Sequence, residues 1–153
     1  MSLASIRNRQ SETSECGLAC LGMAAHLLGS DIDLAYLRQN FPISLRGATL
    51  KDLGLIAGNI GISSRAVRCE PAELSQLRMP AILHWGFQHF VLLREVKRKS
   101  IKIYDPKRGD VWVSISDVSA YFTGVALELS ASAGFKKRRE RPALNLSSLI
   151  ILS

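Results

Sequence analysis

The hydrophobic pattern of this chain changes period at Pro80, and that one switch constrains the fold more than any other feature. Ahead of it, apolar residues fall at helical spacing. Residues 16–28 are a compact run of small and large apolar side chains ended by Gly29, the pattern of a buried central helix. Residues 33–40 read as a short amphipathic helix halted before Pro42, and Thr49 is placed to cap a third helix through Ile60, with Gly61 as its stop. Residues 62–69 have strand character, and Pro71 suits the first turn of a short helix to Arg78. Beyond Pro80 the segments 81–85, 90–96, 101–105, 111–115 and 125–129 are strand-like. Residues 97–100 and 106–109 are turns between them, and Ser116 is expected to cap a last short helix to Phe122. The expected fold is α+β, with an N-terminal helical lobe packed on a C-terminal antiparallel sheet.

A chain of 153 residues with 47% hydrophobic content is large enough for one domain with a full core. The formal charge of +7 raises the possibility of nucleic acid as partner. However, Lys136, Lys137, Arg138, Arg139 and Arg141, set against Glu140, supply four of the seven charges. The rest of the chain carries neither an RNA-binding aromatic motif nor zinc-finger spacing, so no nucleic-acid partner is expected. Three cysteines, an odd number, argue against a disulfide framework and fit a reducing compartment. No Cys-x-x-Cys or His-x-x-x-His pair occurs, so no metal site is expected. The N-terminus lacks a signal-peptide run, and no segment reaches the ~18 apolar residues of a membrane span. The basic cluster is followed by a rising apolar pattern from Pro142 to Ser153, as in a cytoplasmic segment approaching membrane-associated sequence. The expected division is a domain over 1–132 and a basic linker over 133–153.

Cys16 heads the apolar helical run, where unpaired backbone N–H groups and the helix dipole favour a thiolate. Gly17 beside it leaves room for a substrate backbone to approach. Cys20, one turn on, and Cys69, in a strand, read as small core residues. Three histidines are candidate bases. His26 is ten residues along the same helix, roughly 15 Å from Cys16, and is out of reach. His84 and His89 lie on the sheet side. If the loop at 97–100 centres on Arg98, Asp105 falls opposite Val91, on the face that His89 shares. Asp105 is then a diagonal neighbour of His89 at about 7–8 Å between backbones, within reach of both side chains. Gln10, six residues ahead of Cys16, completes a layout that resembles the papain-type thiol proteases: cysteine as nucleophile, histidine as its base, glutamine donating to the oxyanion.

Further motifs narrow the resemblance. Gln10-Ser-Glu-Thr-Ser-Glu-Cys-Gly-Leu-Ala-Cys20, Arg46-Gly-Ala-Thr-Leu50, Pro80-Ala-Ile-Leu-His-Trp85, His89-Phe-Val-Leu-Leu93, Tyr104-Asp-Pro106 and Tyr121-Phe-Thr-Gly124 occur in that order. Over roughly residues 7–130 the chain is similar to the bacteriocin-processing, double-glycine peptidase domain of peptidase-containing ABC transporters, most of all the colicin V secretion type. The resemblance implies a papain-like fold on the cytoplasmic side of the bacterial inner membrane. It implies cleavage of a precursor's leader peptide after Gly-Gly or Gly-Ala, coupled to export by the transmembrane and ATPase domains of the same transporter. It also implies Cys16 as nucleophile, His89 as general base and acid, Asp105 as its orienting residue, and Gln10 with the Cys16 N–H as oxyanion hole. No cofactor is expected for this domain, with ATP confined to the transporter's nucleotide-binding domain. Gly86 departs from the polar residue common after the His-Trp pair and bears on loop shape. His84 and Trp85 match the motif and read as packing or cleft-wall residues, while Glu12 and Glu15 either repel acidic substrates or solvate the helix start. The competing reading is a non-catalytic domain that docks cargo for a secretion transporter.

Overall fold

The computed structural model describes residues 15–43, 47–86 and 88–135. The expectations placed on Gln10, Glu12, Arg46 and the basic run from Lys136 lie outside them. Among the described residues the first elements are helices α1 (Cys16–Leu27), α2 (Leu34–Asn40) and α3 (Leu50–Asn59). Strand β1 (Ile62–Arg68) and a 3-10 turn (Pro71–Gln76) lead to β2 (Ala81–Trp85), β3 (His89–Val96), β4 (Ser100–Asp105), β5 (Gly109–Ser114), helix α4 (Ile115–Tyr121) and β6 (Phe122–Ala131).

The caps explain where the helices begin. Asp33 accepts the Tyr36 N–H at the start of α2, and Thr49 and Asp52 form a reciprocal capping box at the start of α3. The last helix starts earlier than its sequence predicts. Ser114, not Ser116, is the cap, its hydroxyl accepting the Asp117 N–H at 3.2 Å while Ser116 bonds sideways to it. The segment after Pro71 is a 3-10 turn that stops at Gln76, two residues short of Arg78.

All six strands pair antiparallel in the order β1-β6-β2-β3-β4-β5. Strand alternation gives the sheet two apolar faces. On one face Ile62, Ile82, Phe90, Leu92, Leu127 and Leu129 pack against α1 and its neighbours, around the fully buried Leu18, Leu21, Leu37 and Leu53. On the other, Leu83, Val91, Leu93, Ile101 and Ile103 pack against Leu74 of the 3-10 turn and Val118 of α4. Helix α1 is thus enclosed, and truncating a core leucine such as Leu21 to alanine costs about 2–5 kcal/mol.

The β3–β4 register carries the site. Near the turn, Glu95 pairs with Lys102 and Val96 with Ile101. A bulge between Leu93 and Glu95 then shifts the pairing by one, giving Leu93 opposite Ile103 and Leu92 opposite Tyr104. The shifted register is the one that continues toward Val91 opposite Asp105. A loop centred on Arg98 therefore places the far end correctly, although the turn itself is offset.

Packing continues past β6. Ser132 bonds to the Gly61 carbonyl through both N–H (3.0 Å) and hydroxyl (2.6 Å), and Phe135 is buried in the helix-side core. Gly61 is at φ +82°, and a Cβ there lies 2.8 Å from the Phe135 Cα. Packing among the described residues thus continues to Phe135.

Candidate active site

The site forms where the first turn of α1 meets the end of the sheet. Glu15 occupies the helix N-cap without a side-chain cap bond. Its carboxylate instead takes a two-pronged contact from Arg38 of α2, with both N–O distances 2.8 Å, so its charge is tied to the neighbouring helix. Cys16 follows, 2% exposed. The backbone N–H groups of Phe90 and Gly17 favour its thiolate form. The sequence places this thiol where a helix start lowers its pKa, and the structure reverses the balance. Burial raises it above its ordinary value, and the Phe90 and Gly17 N–H groups and the positive charge of Lys107 offset that only in part, with Asp105 adding a smaller rise. Gly17 also has a packing role: a Cβ there would sit 3.0 Å from both Leu53 methyl groups, so the missing side chain makes room for α3.

His89 begins β3, one residue before Phe90, with its side chain 17% exposed. Its Nε2 lies 3.2 Å from Asp105 Oδ1 at the end of β4. The Asp105 side chain is 10% exposed, and the same Oδ1 accepts the Lys107 N–H at 2.9 Å. The other ring nitrogen, His89 Nδ1, is buried with no hydrogen-bond partner among the described residues. A neutral histidine whose Nε2–H donates to a carboxylate has its lone pair at Nδ1, so this atom is the ring's proton acceptor.

The other expected residues take different places. His84 faces away from the Asp105 pair: its Nδ1 meets Thr123 Oγ1 at 2.9 Å and its ring tilts against Phe90 at 5.3 Å. Burial holds its pKa below the usual histidine value. Trp85 stacks on Tyr121, and Gly86 closes the β2–β3 turn at φ +57°, its N–H bonded to the Tyr121 carbonyl. That backbone suits glycine. Cys20 is fully buried, its thiol 3.5 Å from the Phe90 carbonyl and its pKa pushed well up by burial. Cys69 is half-buried just past β1. His26 lies on an exposed turn of α1. The backbone of Phe90, the packing role of Gly17 and the charge of Lys107 leave no mark in the sequence, because each depends on a strand register or on a helix from elsewhere in the chain.

Among the described residues no group of three or more His, Cys, Asp or Glu is placed to hold a metal ion. No helix among them is long and apolar enough to cross a membrane.

A helix-start cysteine packed on the opening residues of an antiparallel sheet puts the chain among the cysteine peptidases of papain-like fold. Residues 6–134 match the Peptidase C39 family, and the chain belongs to that family. It is 47% identical to the colicin V secretion/processing ATP-binding protein CvaB of Escherichia coli and 45% identical to the probable microcin-H47 secretion/processing ATP-binding protein MchF of the same species. Each match covers 92% of this chain and 20% of the relative, so the chain spans about one fifth of the length of these curated relatives. Among solved structures it resembles a double glycine motif protease from an AMS/PCAT transporter in complex with its leader peptide. That match has 31% identity and a TM-score of 0.71, covering 76% of this chain and 84% of the other.

Proposed function

We propose that this chain is the leader peptidase of a secretion ABC transporter, cutting bacteriocin- or microcin-type precursors after a Gly-Gly or Gly-Ala pair. The single observation that carries the reading is the division of labour on the His89 ring. Nε2 is engaged by Asp105, while Nδ1 is buried with no partner among the described residues, one position before Phe90, whose N–H favours the Cys16 thiolate.

In this reading His89 Nδ1 takes the Cys16 proton and the thiolate attacks the carbonyl carbon of the second glycine. Asp105 holds the ring by its Nε2–H and stabilises the imidazolium that forms. The tetrahedral oxyanion meets the backbone N–H of Cys16 at the helix start, with the Gln10 amide as second donor. The imidazolium returns its proton to the departing amine, leaving a thioester. Water, deprotonated by His89, then hydrolyses the thioester and releases the leader.

The burial that raises the Cys16 thiol gives the ion pair its purpose. A buried thiolate is unfavourable alone, and an adjacent imidazolium offsets the cost. The names of the relatives support the substrate class, since they are secretion and processing proteins and a double glycine motif protease bound to a leader. The precursor's leader is thus the expected partner, with transmembrane and ATPase domains of one transporter as the others. The expected location is the cytoplasmic side of the inner membrane. No cofactor is assigned to this domain, and its division from a basic linker near residue 133 belongs to the same proposal.

The test is incubation of the chain with a synthetic Gly-Gly leader–cargo peptide, read by mass spectrometry. One cut after the second glycine, lost in Cys16→Ala while leader binding persists, supports the reading. Binding without any cut by the unsubstituted chain supports a docking domain and overturns it.

A further inference from the structure

Two histidines flank the turn between β2 and β3, and the peptidase reading uses only His89. Across this strand pair Trp85 stands opposite His89, and His84 stands opposite Phe90. Strand alternation puts His84 on the α1 face of the sheet, with Ile82 two positions before it and Phe90 beside it. Ile82 is fully buried in the helix-side core, whereas His84 is only half-buried. Cys16 and Cys20 of α1 share that core with Phe90, and the Cys20 thiol meets the Phe90 carbonyl at 3.5 Å. The first turns of α1 therefore lie over Phe90. His84 stands at their rim, one strand across from the residue that follows the base.

A bulge in the neighbouring strand fixes the His84 ring. Leu83 pairs with Ala126 and Trp85 with Phe122, so Thr123, Gly124 and Val125 of β6 stand opposite His84 alone, with Gly124 at φ +92°. Thr123 Oγ1 donates to the His84 carbonyl at 3.2 Å and lies 2.9 Å from His84 Nδ1. A hydroxyl has a single proton, and with that proton on the carbonyl it can only accept at Nδ1. Nδ1 therefore carries the ring's hydrogen, and burial keeps the ring neutral by lowering its pKa. The lone pair is left at Nε2. This atom has no hydrogen-bond partner among the described residues and, unlike His89 Nδ1, is not buried. His84 thus presents an open acceptor beside the reaction centre, in the tautomer opposite to that of His89.

We propose that His84 is a substrate-binding residue of the peptidase, its Nε2 accepting a backbone N–H from the Gly-Gly pair of the leader. The proposal rests on the reading of the chain as a leader peptidase and adds a recognition element to it. A glycine has no side chain to be read, so its backbone N–H and C=O are the only polar groups by which a site can hold it. The oxyanion donors serve the carbonyl at the cut, and an N–H needs an acceptor such as a neutral imidazole nitrogen. The spacing suits the pair. Neighbours across an antiparallel ladder such as His84 and Phe90 are about 5 Å apart at Cα, and successive residues of an extended peptide advance ~3.3 Å. A histidine that only braces β2 against β6 uses its Nδ1 and not its Nε2, and the test separates the two.

The experiment compares a Gly-Gly leader–cargo peptide with two analogues in which glycolic acid replaces the first or the second glycine, exchanging one N–H for an ester oxygen. Each is offered to the unsubstituted chain and to H84F, which keeps an aromatic ring against Phe90 but has no acceptor, and kcat/KM is read by mass spectrometry. In the unsubstituted chain one replacement is expected to lower kcat/KM about 3–10-fold, the worth of a single hydrogen bond. In H84F the same replacement is expected to cost less than about twofold, because the lost N–H has no partner there. Equal penalties in the two chains, or none in the unsubstituted chain, overturn the role of His84. Nitrogen NMR shifts of the His84 ring in the unsubstituted chain give a check that needs no variant: a neutral ring protonated at Nδ1 supports the proposal, and one protonated at Nε2 overturns it. If the unsubstituted chain leaves the all-amide peptide uncut, the peptidase reading itself fails, whereas a cut peptide with equal penalties removes His84 alone.

Discussion

Cys16 and Cys20 lie one helical turn apart on α1, and both face the backbone of Phe90 in β3. The Phe90 N–H favours the Cys16 thiolate, whereas Cys20 directs its thiol at the Phe90 carbonyl. Both sulfurs are removed from solvent, and burial raises the pKa of each. The two part on what opposes the burial. Two backbone N–H groups and a cation act on Cys16, and a histidine with an open ring nitrogen lies one residue from its contact. Nothing of the kind acts on Cys20: the further influences on it, Cys16 and Asp105, both raise its pKa. Residue type and burial therefore do not tell the two thiols apart; the donors, the cation and the neighbouring base do.

The largest expected effect is on cleavage. Cys16→Ala should lower the rate of leader cleavage by about 10³-fold or more, measured by product mass spectrometry, while the same change at Cys20 leaves the rate within about twofold. Equal losses at both positions break the comparison. Next comes His89→Ala, expected to cost about 10²–10⁴-fold in kcat/KM. It should also move Cys16 alkylation to higher pH than in the unsubstituted chain, because the buried thiolate then lacks an imidazolium beside it. Asp105→Asn keeps an oxygen for the Lys107 N–H and removes the charge behind His89. A rate loss of at least about tenfold with little change in Tm assigns Asp105 to the chemistry, and a large fall in Tm assigns it to the fold instead.

The chemistry was more legible in the sequence than the electrostatics. Cys16 is visible because the apolar period begins with it, and the His89–Asp105 approach follows from strand parity once the 97–100 turn is located. The 3.2 Å contact agrees with that parity although a bulge near Arg94 offsets the turn, since the shift is undone before the site. The Cys16 thiol is shifted up by burial where its place at a helix start alone favours a downward shift. A helix start is a local property that sequence displays, whereas enclosure by β3 and α3 is assembled from residues thirty to seventy-five positions away. The same distinction separates Thr49, whose capping box is local and predictable, from Phe135. A phenylalanine next to a basic run reads as linker, and only its seat against Gly61 shows it as core.

The smallest expected effect concerns Cys20 and stability. Cys20→Ala removes a buried sulfur and its contact with the Phe90 carbonyl, a cost of about 1–2 kcal/mol by denaturant unfolding at pH 7. The pH dependence of that number is the sharper measurement. In the folded protein the Cys20 pKa lies well above its ordinary value; in the unfolded chain it returns to about 8.5. A raised folded-state pKa means that the native state keeps a proton the unfolded state gives up. The associated stability is complete below about pH 8 and is lost as pH rises past the unfolded value, by on the order of 1 kcal/mol per pH unit. Cys16 contributes with the same sign but less, because its upward shift is partly opposed. Unfolding curves between pH 8 and 10 should therefore fall more steeply for the unsubstituted chain than for Cys20→Ala, and the two should converge as pH rises. Parallel curves for the two chains exclude Cys20 as a tightly protonated thiol. A slope that disappears with Cys16→Ala instead places the greater burial penalty on the nucleophile and reverses the comparison between the two turns of α1.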